Sequence, residues 1–324
     1  EENSKVEIHI YDVATGKDVK AQYEQGDIYI PRIKWTKDDN TLVVYWMNRH
    51  QDNLKLLATN AQTGTANLLY EEKNKYFVEI NDDWWFLKDG KNFLFTSEKD
   101  GYRHLYLNSL DGKSSAQVTK GNFEITNIEA VDETNKRIFY TMAYPTPMDR
   151  NLFVTDFNGK KATQLTKGKG THRVQLNDDY TKFYDFYSDL NTPQIVTVHD
   201  IVVDKKKNFS ANLVKTVNES AKLKEKLTEY GYGKAEFMRV PNSKGDTLNG
   251  WMLKPANFDA TKKYPVLFCN YGGPGSQQVN NEWNNHDDFW FMMLTQQGYI
   301  VACVDGRGTG YKGADFKKVT YKEL

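Results

Sequence analysis

The sequence of 324 residues predicts a mainly β chain, in which an incomplete β-propeller of four-stranded antiparallel blades is followed by the start of an α/β domain. The first observation is a glycine turn that recurs about every 48 residues. The second is a turn rich in Asp, Asn and Gly that lies between successive glycine turns. The third is a change, after residue 217, to a strand, helix, strand pattern. The glycine turns are centred on Gly16, Gly64, Gly112 and Gly159.

Each glycine turn joins two short strand-like segments. The segment before the turn alternates apolar and polar residues, as in RHLYLNSL before Gly112 and NLFVTDF before Gly159. The segment after it is shorter, as in AQVTKG and TQLTKG. Since Gly and Asn readily adopt the positive φ angles of tight hairpins, every repeat predicts four antiparallel strands. The intervening polar turns lie at 36–41, 87–92, 132–136 and 177–182.

The period and the four strands per repeat are typical of a β-propeller. A single four-stranded unit cannot bury both of its faces, so the units must stack on one another. Residues 1–217 supply about four and a half units. Propellers have about 4–8 blades, so we expect further blades upstream of residue 1. A β-sandwich is the competing fold, and the near-constant spacing argues against it.

The remaining sequence predicts a helical linker over 218–234 and the first part of an α/β domain over 235–324. ESAKLKEKLTEY predicts a short charged helix over 219–230. AEFMRV and LNGWMLKP predict strands. The apolar runs YPVLFCN and YIVACVD predict strands buried on both faces, as in a parallel sheet. Between these two runs, NEWNNHDDFWFMMLTQQG predicts a helix that ends at Gly298.

Composition argues against several classes of function. The 43 basic and 43 acidic residues balance, which gives no bulk field that would favour nucleic acid. No apolar run approaches the about 18 residues that span a bilayer. The six histidines show no zinc-binding spacing, and we expect neither a metal nor a cofactor. Cys269 and Cys303 lie in apolar runs, which predicts two buried small side chains rather than a disulfide.

Two glycine turns follow the two apolar strands. In DGRGTGYKG, Gly308, Gly310 and Gly313 satisfy G-x-G-x-x-G, but a dinucleotide site should open the first strand–helix unit, and here another strand precedes it. The earlier turn, YGGPG, has a tyrosine where an HGGG-type oxyanion loop has its histidine. The phenolic O–H of Tyr271 is a suitable oxyanion donor. A core tyrosine beside a structural turn explains the local residues equally well.

The two turns together resemble the dipeptidyl peptidase IV family of prolyl-specific serine peptidases. YPVLFCNYGGPGSQQV and YIVACVDGRGTGYKG carry this resemblance, and SEKDGYRHLYL and GNFEITNIEA resemble the propeller of that family. The resemblance covers essentially the whole chain. It implies that 235–324 begins an α/β-hydrolase domain. It also implies that Tyr271 is the oxyanion tyrosine, which stabilises the tetrahedral intermediate formed when a serine attacks.

The resemblance implies a serine exopeptidase that releases N-terminal Xaa-Pro or Xaa-Ala dipeptides, with a propeller that gates access. It further implies peptide substrates, a homodimer of the full-length enzyme, and a periplasmic, secreted or membrane-anchored location. Two alternatives stay open. One is a related prolyl oligopeptidase or acylaminoacyl peptidase, and the other is a propeller that serves only as a binding module.

Part of the machinery of such an enzyme has no counterpart in these residues. A G-x-S-x-G nucleophile elbow is absent, and we reject Ser114 and Ser276 as near matches. No histidine follows the second glycine turn. We therefore expect the 324-residue chain to be inactive by itself.

The family also holds the substrate amine with a glutamate pair, which we expect upstream of residue 1. Glu1-Glu2 directly precedes a strand, and Glu71-Glu72 is interpreted as a solvated blade edge. His104 is interpreted as structural. Near His286, the carboxylates of Asp287 and Asp288 are interpreted as charges of a first helical turn.

Overall fold

The computed structural model describes residues 4–283 and 285–323, without the side chains of residues 285–288. The chain divides into two compact units, Glu1–Gly121 and Asn122–Leu324, and each unit is described by itself. The predicted domain limits at 217, 218–234 and 235 stay predictions.

The described residues of the first unit, 4–121, form ten short strands. They are β1 (His9–Tyr11), β2 (Asp18–Lys20), β3 (Ile28–Trp35), β4 (Thr41–Asn48), β5 (Asn53–Asn60), β6 (Ala66–Lys73), β7 (Trp84–Phe86), β8 (Asn92–Ser97), β9 (His104–Ser109) and β10 (Ser115–Gln117). The strands form two four-stranded antiparallel sheets, ordered β3-β4-β5-β6 and β10-β9-β8-β7, beside a two-stranded β1-β2 sheet.

Strand β4 shows why these sheets need neighbours on both sides. Successive side chains of a strand point to opposite faces, and nearly all of β4 is buried. One set of alternate residues joins an aromatic core with strands β7 and β8, and this set is Val43, Tyr45 and Met47. The other set packs near β1, and it is Leu42, Val44 and Trp46. A sheet buried on both faces is what the blade prediction requires.

The second unit repeats this architecture and adds helices. Its elements are β11 (Ile125–Asp132), β12 (Arg137–Met142), β13 (Asn151–Asp156), β14 (Thr163–Gln164), β15 (Thr171–Leu176), β16 (Lys182–Asp189), β17 (Thr192–Val203), β18 (Phe209–Asn218), α1 (Ala221–Glu229), β19 (Glu236–Pro241), β20 (Thr247–Leu253), β21 (Val266–Phe268), α2 (Asn285–Gln296), β22 (Ile300–Val304) and α3 (Ala314–Lys318). The sheets β11-β12-β13-β14 and β15-β16-β17-β18 are antiparallel. Their shared core includes Phe139, Leu152 and Phe183.

The predicted turns lie where the sequence placed them. Asp38 closes the turn between β3 and β4 because its carboxylate accepts the backbone N–H groups of Asn40 and Thr41, at 2.9 and 3.0 Å. Gly112 has a φ of 71°, and a Cβ there would lie 2.6 Å from the carbonyl oxygen of Leu68. Glycine is therefore required at this position because its φ is positive and because a side chain would clash with the backbone of β6. The four-stranded antiparallel sheets confirm the predicted mainly β fold.

The C-terminal sheet is mixed rather than fully parallel. Its order is β19-β20-β22-β21; β21 runs parallel to β22, while β20 runs antiparallel to it. The predicted helices are present as α1 and α2, and Phe291 and Met292 of α2 pack against Leu253 and Val301. The interpretation of this sheet as the start of an α/β-hydrolase domain stays a prediction.

Burial of YPVLFCN was predicted wrongly. Strand β22 is buried as expected, but β21 is an edge strand whose Val266 and Phe268 side chains are about half exposed, at 49% and 60%. Within the described residues, β21 pairs with β22 alone. The apolar run predicts a strand covered on both faces, but only one face is covered here. Leu267 packs in the core with Leu253 and Val301, while Val266 and Phe268 on the other face are exposed.

The two cysteines also differ from each other. Cys303 on β22 is buried, as predicted, whereas Cys269 just beyond β21 is exposed, contrary to the prediction. Burial raises the pKa of the Cys303 thiol to about 12, and the nearby carboxylate of Asp305 adds to the rise. Both cysteines are free.

This difference predicts selective alkylation of the folded chain. The thiolate is the reactive form, and with a pKa of about 12 only about 10⁻⁴ of Cys303 is thiolate at pH 8. Iodoacetamide at pH 8 is expected to add one carbamidomethyl group, on Cys269, and a second group only after unfolding. Peptide mass spectrometry identifies the modified residue. Rapid labelling of Cys303 in the native chain would contradict the buried position of β22.

Candidate active site

Two glycine turns meet beyond the ends of β21 and β22. Because β21 and β22 are parallel, their carboxyl ends lie at the same edge of the sheet. The N–H of Gly275 donates a hydrogen bond of 2.7 Å to the carbonyl oxygen of Gly308. A Cβ on Gly310 would lie 2.9 Å from the carbonyl oxygen of Gly275. The second glycine turn therefore serves as a support on which the first turn rests.

Tyr271 lies on the exposed part of the first turn. Its side chain is 72% exposed, and its hydroxyl has no hydrogen-bond partner among the described residues. A Cβ on Gly273 would overlap Cε1 of the Tyr271 ring. The alternative of a buried core tyrosine does not describe this residue. Its phenolic O–H is available to a group outside the described chain.

The backbone is anchored on both sides of Tyr271. Before it, the N–H of Val304 donates to Oδ1 of Asn270 at 3.1 Å. After it, the Asp305 carboxylate accepts the N–H groups of Gln278 and Val279, each at 2.9 Å. Burial raises the pKa of Asp305, and the two N–H donors oppose that rise. These anchors hold the ends of the turn while the Tyr271 side chain projects from it.

A third anchor is the half-buried guanidinium of Arg150, which lies just before β13. Its Nη2 donates to Oε1 of Gln277 at 2.6 Å, and its Nη1 donates to the carbonyl oxygens of Pro147 and Asp149, both at 2.8 Å. Desolvation lowers the pKa of Arg150, while contact with Tyr311 opposes the shift. Loop 147–150 and the first glycine turn are therefore joined within the second unit.

The same loop and turn border a polar cleft of about 430 Å³, within the size range of small-molecule sites. Arg150, Gly275 and Gln277 form one side of it, and strands β11 and β15 form another. His172 on β15 lines the cleft, and its Nδ1 lies 2.8 Å from the Asp185 carboxylate. Its buried Nε2 has no hydrogen-bond partner among the described residues.

The His172–Asp185 pair was missed by sequence reasoning. The two residues are 13 positions apart, and the segment THRVQL differs little from any other alternating strand. The strands β15 and β16 bring the two side chains together through their antiparallel register. No local spacing rule reports a contact of this kind.

Ser276 and His104, which the sequence analysis excluded from catalysis, both make hydrogen bonds within the fold. The Ser276 hydroxyl donates to the carbonyl oxygen of Gly273 at 2.7 Å, which accounts for it as part of the turn. His104 is buried, with Nδ1 3.1 Å from the Thr119 hydroxyl and Nε2 2.9 Å from the Gly121 carbonyl oxygen. The structural interpretation of His104 fits these contacts.

The interpretation of Glu71-Glu72 as a solvated edge was wrong for one of the two residues. Glu71 is exposed, but Glu72 is buried and accepts hydrogen bonds of 2.6 Å from both the Tyr70 and Ser97 hydroxyls. Glu72 points inward because β6 packs against a neighbouring sheet. Glu1-Glu2 and the side chains of His286, Asp287 and Asp288 lie outside the described residues.

The described side chains form no metal-binding cluster, and the described residues form no membrane-spanning helix. Outside the side chains of 285–288, no group of three His, Cys, Asp or Glu residues among 4–283 and 285–323 is placed to hold a metal ion. No helix in this part of the chain is long and apolar enough to cross a membrane.

Comparison with known proteins identifies the family. Residues 1–194 match the family model described as the dipeptidyl peptidase IV N-terminal region. Over 99% of its length the chain is 27% identical to dipeptidyl peptidase 4 of Trichophyton rubrum and 28% identical to that of Trichophyton equinum. The chain belongs to the dipeptidyl peptidase IV family, as the sequence motifs indicated.

A solved structure supports the same assignment. The crystal structure of Porphyromonas gingivalis dipeptidyl peptidase 4 superimposes with a TM-score of 0.89 at 33% identity, over 99% of this chain and 44% of that protein. The match supports the propeller-type sheets described above. The chain spans 42% of the length of the two Trichophyton relatives, so the activity of a whole protein is a matter for proposal.

Proposed function

We propose that this chain supplies the propeller blades and the oxyanion turn of a serine exopeptidase that releases N-terminal Xaa-Pro and Xaa-Ala dipeptides. Family membership and the names of its relatives support an enzyme of this class. Residues 1–217 form the propeller part, 218–234 the linker, and 235–324 the start of the α/β-hydrolase domain. The nucleophile elbow, the remaining triad residues and the amine-binding glutamate pair lie outside these residues.

The single observation that carries the proposal is the exposed hydroxyl of Tyr271 on a turn held at both ends. When a serine attacks the acyl carbon of the substrate, the carbonyl oxygen gains negative charge. A hydrogen bond from a fixed donor lowers the energy of that oxyanion more than the energy of the neutral carbonyl. The Tyr271 O–H supplies such a donor, and the glycines allow the substrate to approach the backbone.

Changing Tyr271 to Phe tests this role in the full-length protein that contains the chain. Loss of one oxyanion donor is expected to lower kcat for a Gly-Pro-anilide substrate on the order of 10²–10³-fold. The KM should change little, because the ground-state carbonyl gains less from this hydrogen bond. Since the side chain is 72% exposed, the melting temperature should also change little. An unchanged kcat would contradict the oxyanion role.

The 324-residue chain alone provides a second test. Without a G-x-S-x-G elbow in these residues, the chain should not hydrolyse Gly-Pro-anilide, whereas the full-length protein should. Assays at equal molar concentration, with release of the anilide followed by absorbance, compare the two. Hydrolysis by the chain itself would refute the assignment of the nucleophile to a region outside it. Inactivity of the full-length protein would instead favour the non-catalytic binding module.

Gly273 offers a test of ring position that does not remove the hydroxyl. A methyl group at this position would overlap the Tyr271 ring at Cε1. The exposed ring can turn aside at little cost in stability, but its hydroxyl then moves away from the oxyanion. Gly273→Ala in the full-length protein is therefore expected to lower kcat about 10- to 100-fold with a nearly unchanged melting temperature.

Gly306→Ala is the matched control for that variant. Gly306 lies in the second glycine turn and has no positive φ, and a methyl group added to it would have no described atom within 4 Å. The activity of this variant should equal that of the wild type. If Gly273→Ala and Gly306→Ala behaved alike, the position of the Tyr271 ring would not matter for turnover.

A further inference from the structure

The guanidinium of Arg150 links the segment after the first glycine turn to the second glycine turn. It donates a hydrogen bond to Gln277, two residues after the first turn, and its Cζ lies 3.9 Å from the ring centroid of Tyr311 in the second turn. Tyr311 has a φ of 66°, a left-handed backbone angle that is uncommon for a bulky residue. Arg150 therefore packs on the second turn at a position where the backbone needs tertiary support.

Gln277 is held at both ends of its amide. Oε1 accepts from Arg150 at 2.6 Å, and Nε2 donates to the carbonyl oxygen of Pro147 at 2.9 Å. The next two residues are fixed by Asp305. Gln277 is only six positions after Tyr271, so Arg150 adds an anchor on the same side of the turn as Asp305.

Stability alone does not account for a cation at this position. The Arg150 side chain is half-buried, and even partial burial of a charge costs free energy that hydrogen bonds only partly recover. A buried guanidinium without its partners would be more costly still. The planar group does, however, provide several donors in fixed directions, which an apolar side chain cannot do. Its geometry is suited to setting the position of the two turns relative to loop 147–150.

We propose that Arg150 is a positioning residue of the active site, which fixes the turn that carries Tyr271 and so controls oxyanion stabilisation without contacting the substrate. This inference rests on the proposed function. It predicts that the kinetic effect of Arg150 passes through Tyr271. A residue needed only for folding would reduce activity irrespective of what occupies position 271.

A double-mutant cycle in the full-length protein separates these cases. Arg150→Met is expected to lower kcat for Gly-Pro-anilide about 10- to 100-fold with little change in KM. In the Tyr271→Phe background the same change should cost less than about threefold, since the hydroxyl that it displaces is already gone. Arg150→Lys should show most of the loss, because an ammonium cannot reproduce the fork of donors.

Arg137→Met is the matched control. Arg137 begins β12, lies 5.0 Å from the Phe209 ring centroid and pairs with Asp132, away from the glycine turns. Its replacement removes a partly buried guanidinium and an aromatic contact, as Arg150→Met does. Its kcat should equal that of the wild type even if the melting temperature falls. A similar loss of kcat in both variants would assign the Arg150 effect to general destabilisation.

Hydrogen exchange on the 324-residue chain gives a readout that does not depend on activity. Arg150→Met or Arg150→Lys should speed exchange of the amides of Gly275, Gln278 and Val279, while the amides of β4 stay protected. Unchanged exchange in this segment for Arg150→Lys would overturn the inference, even if Arg150→Met failed to fold.

The kinetic outcomes distinguish the two proposals. Multiplicative losses from Arg150→Met and Tyr271→Phe would overturn the positioning role while leaving the oxyanion role intact. An effect of Arg150→Met that disappears in the Tyr271→Phe background would support both. A Tyr271→Phe variant with unchanged kcat would refute the proposed function, and the inference about Arg150 with it.

Discussion

The hydrogen bond between the Gly275 N–H and the Gly308 carbonyl oxygen sets the geometry on which the candidate site depends. It forms only because two parallel strands end at the same edge of the sheet and because Gly310 has no side chain where the Gly275 carbonyl approaches. Two backbone segments thereby support each other without intervening side chains. The Tyr271 side chain is therefore exposed on a turn whose backbone is held by the second glycine turn.

Polar groups removed wholly or partly from solvent supply the rest of that support. Asp305 accepts two N–H groups from the segment after Tyr271, and Arg150 donates a hydrogen bond to the Gln277 side chain. Glu124, at the start of a blade sheet, accepts the N–H of Gly313 at 2.8 Å. Each anchor loses hydrogen bonds to water when it is removed from solvent, and directed hydrogen bonds within the protein replace them. These polar anchors contribute less to folding stability than apolar packing would, but they define the backbone position of the turn that carries Tyr271, as expected where function requires a fixed donor.

Sequence patterns predicted the repeated elements well because those patterns arise from local physics. Alternation along β5, β9 and β13 follows from side chains that face opposite sides of a strand, and the turns at Asp38 and Gly112 follow from local hydrogen bonding and positive φ. The errors came from long-range packing. The exposure of β21 and Cys269 depends on what covers each face of the strand, and the burial of Glu72 depends on a facing sheet, so neither can be predicted from a short stretch of sequence.

Local signatures of residue type and spacing were sufficient for the blade-like sheets and the two glycine turns, whereas the oxyanion role of Tyr271 comes from the family resemblance and stays a prediction. The contacts of Arg150, Asp305 and the His172–Asp185 pair have no such signature and emerge from the folded chain alone. Arg150 and Gln277 are 127 positions apart, and the residues between them carry no sign of the contact. Chain topology brings them together, and the geometry of that contact depends on the packing of the whole second unit.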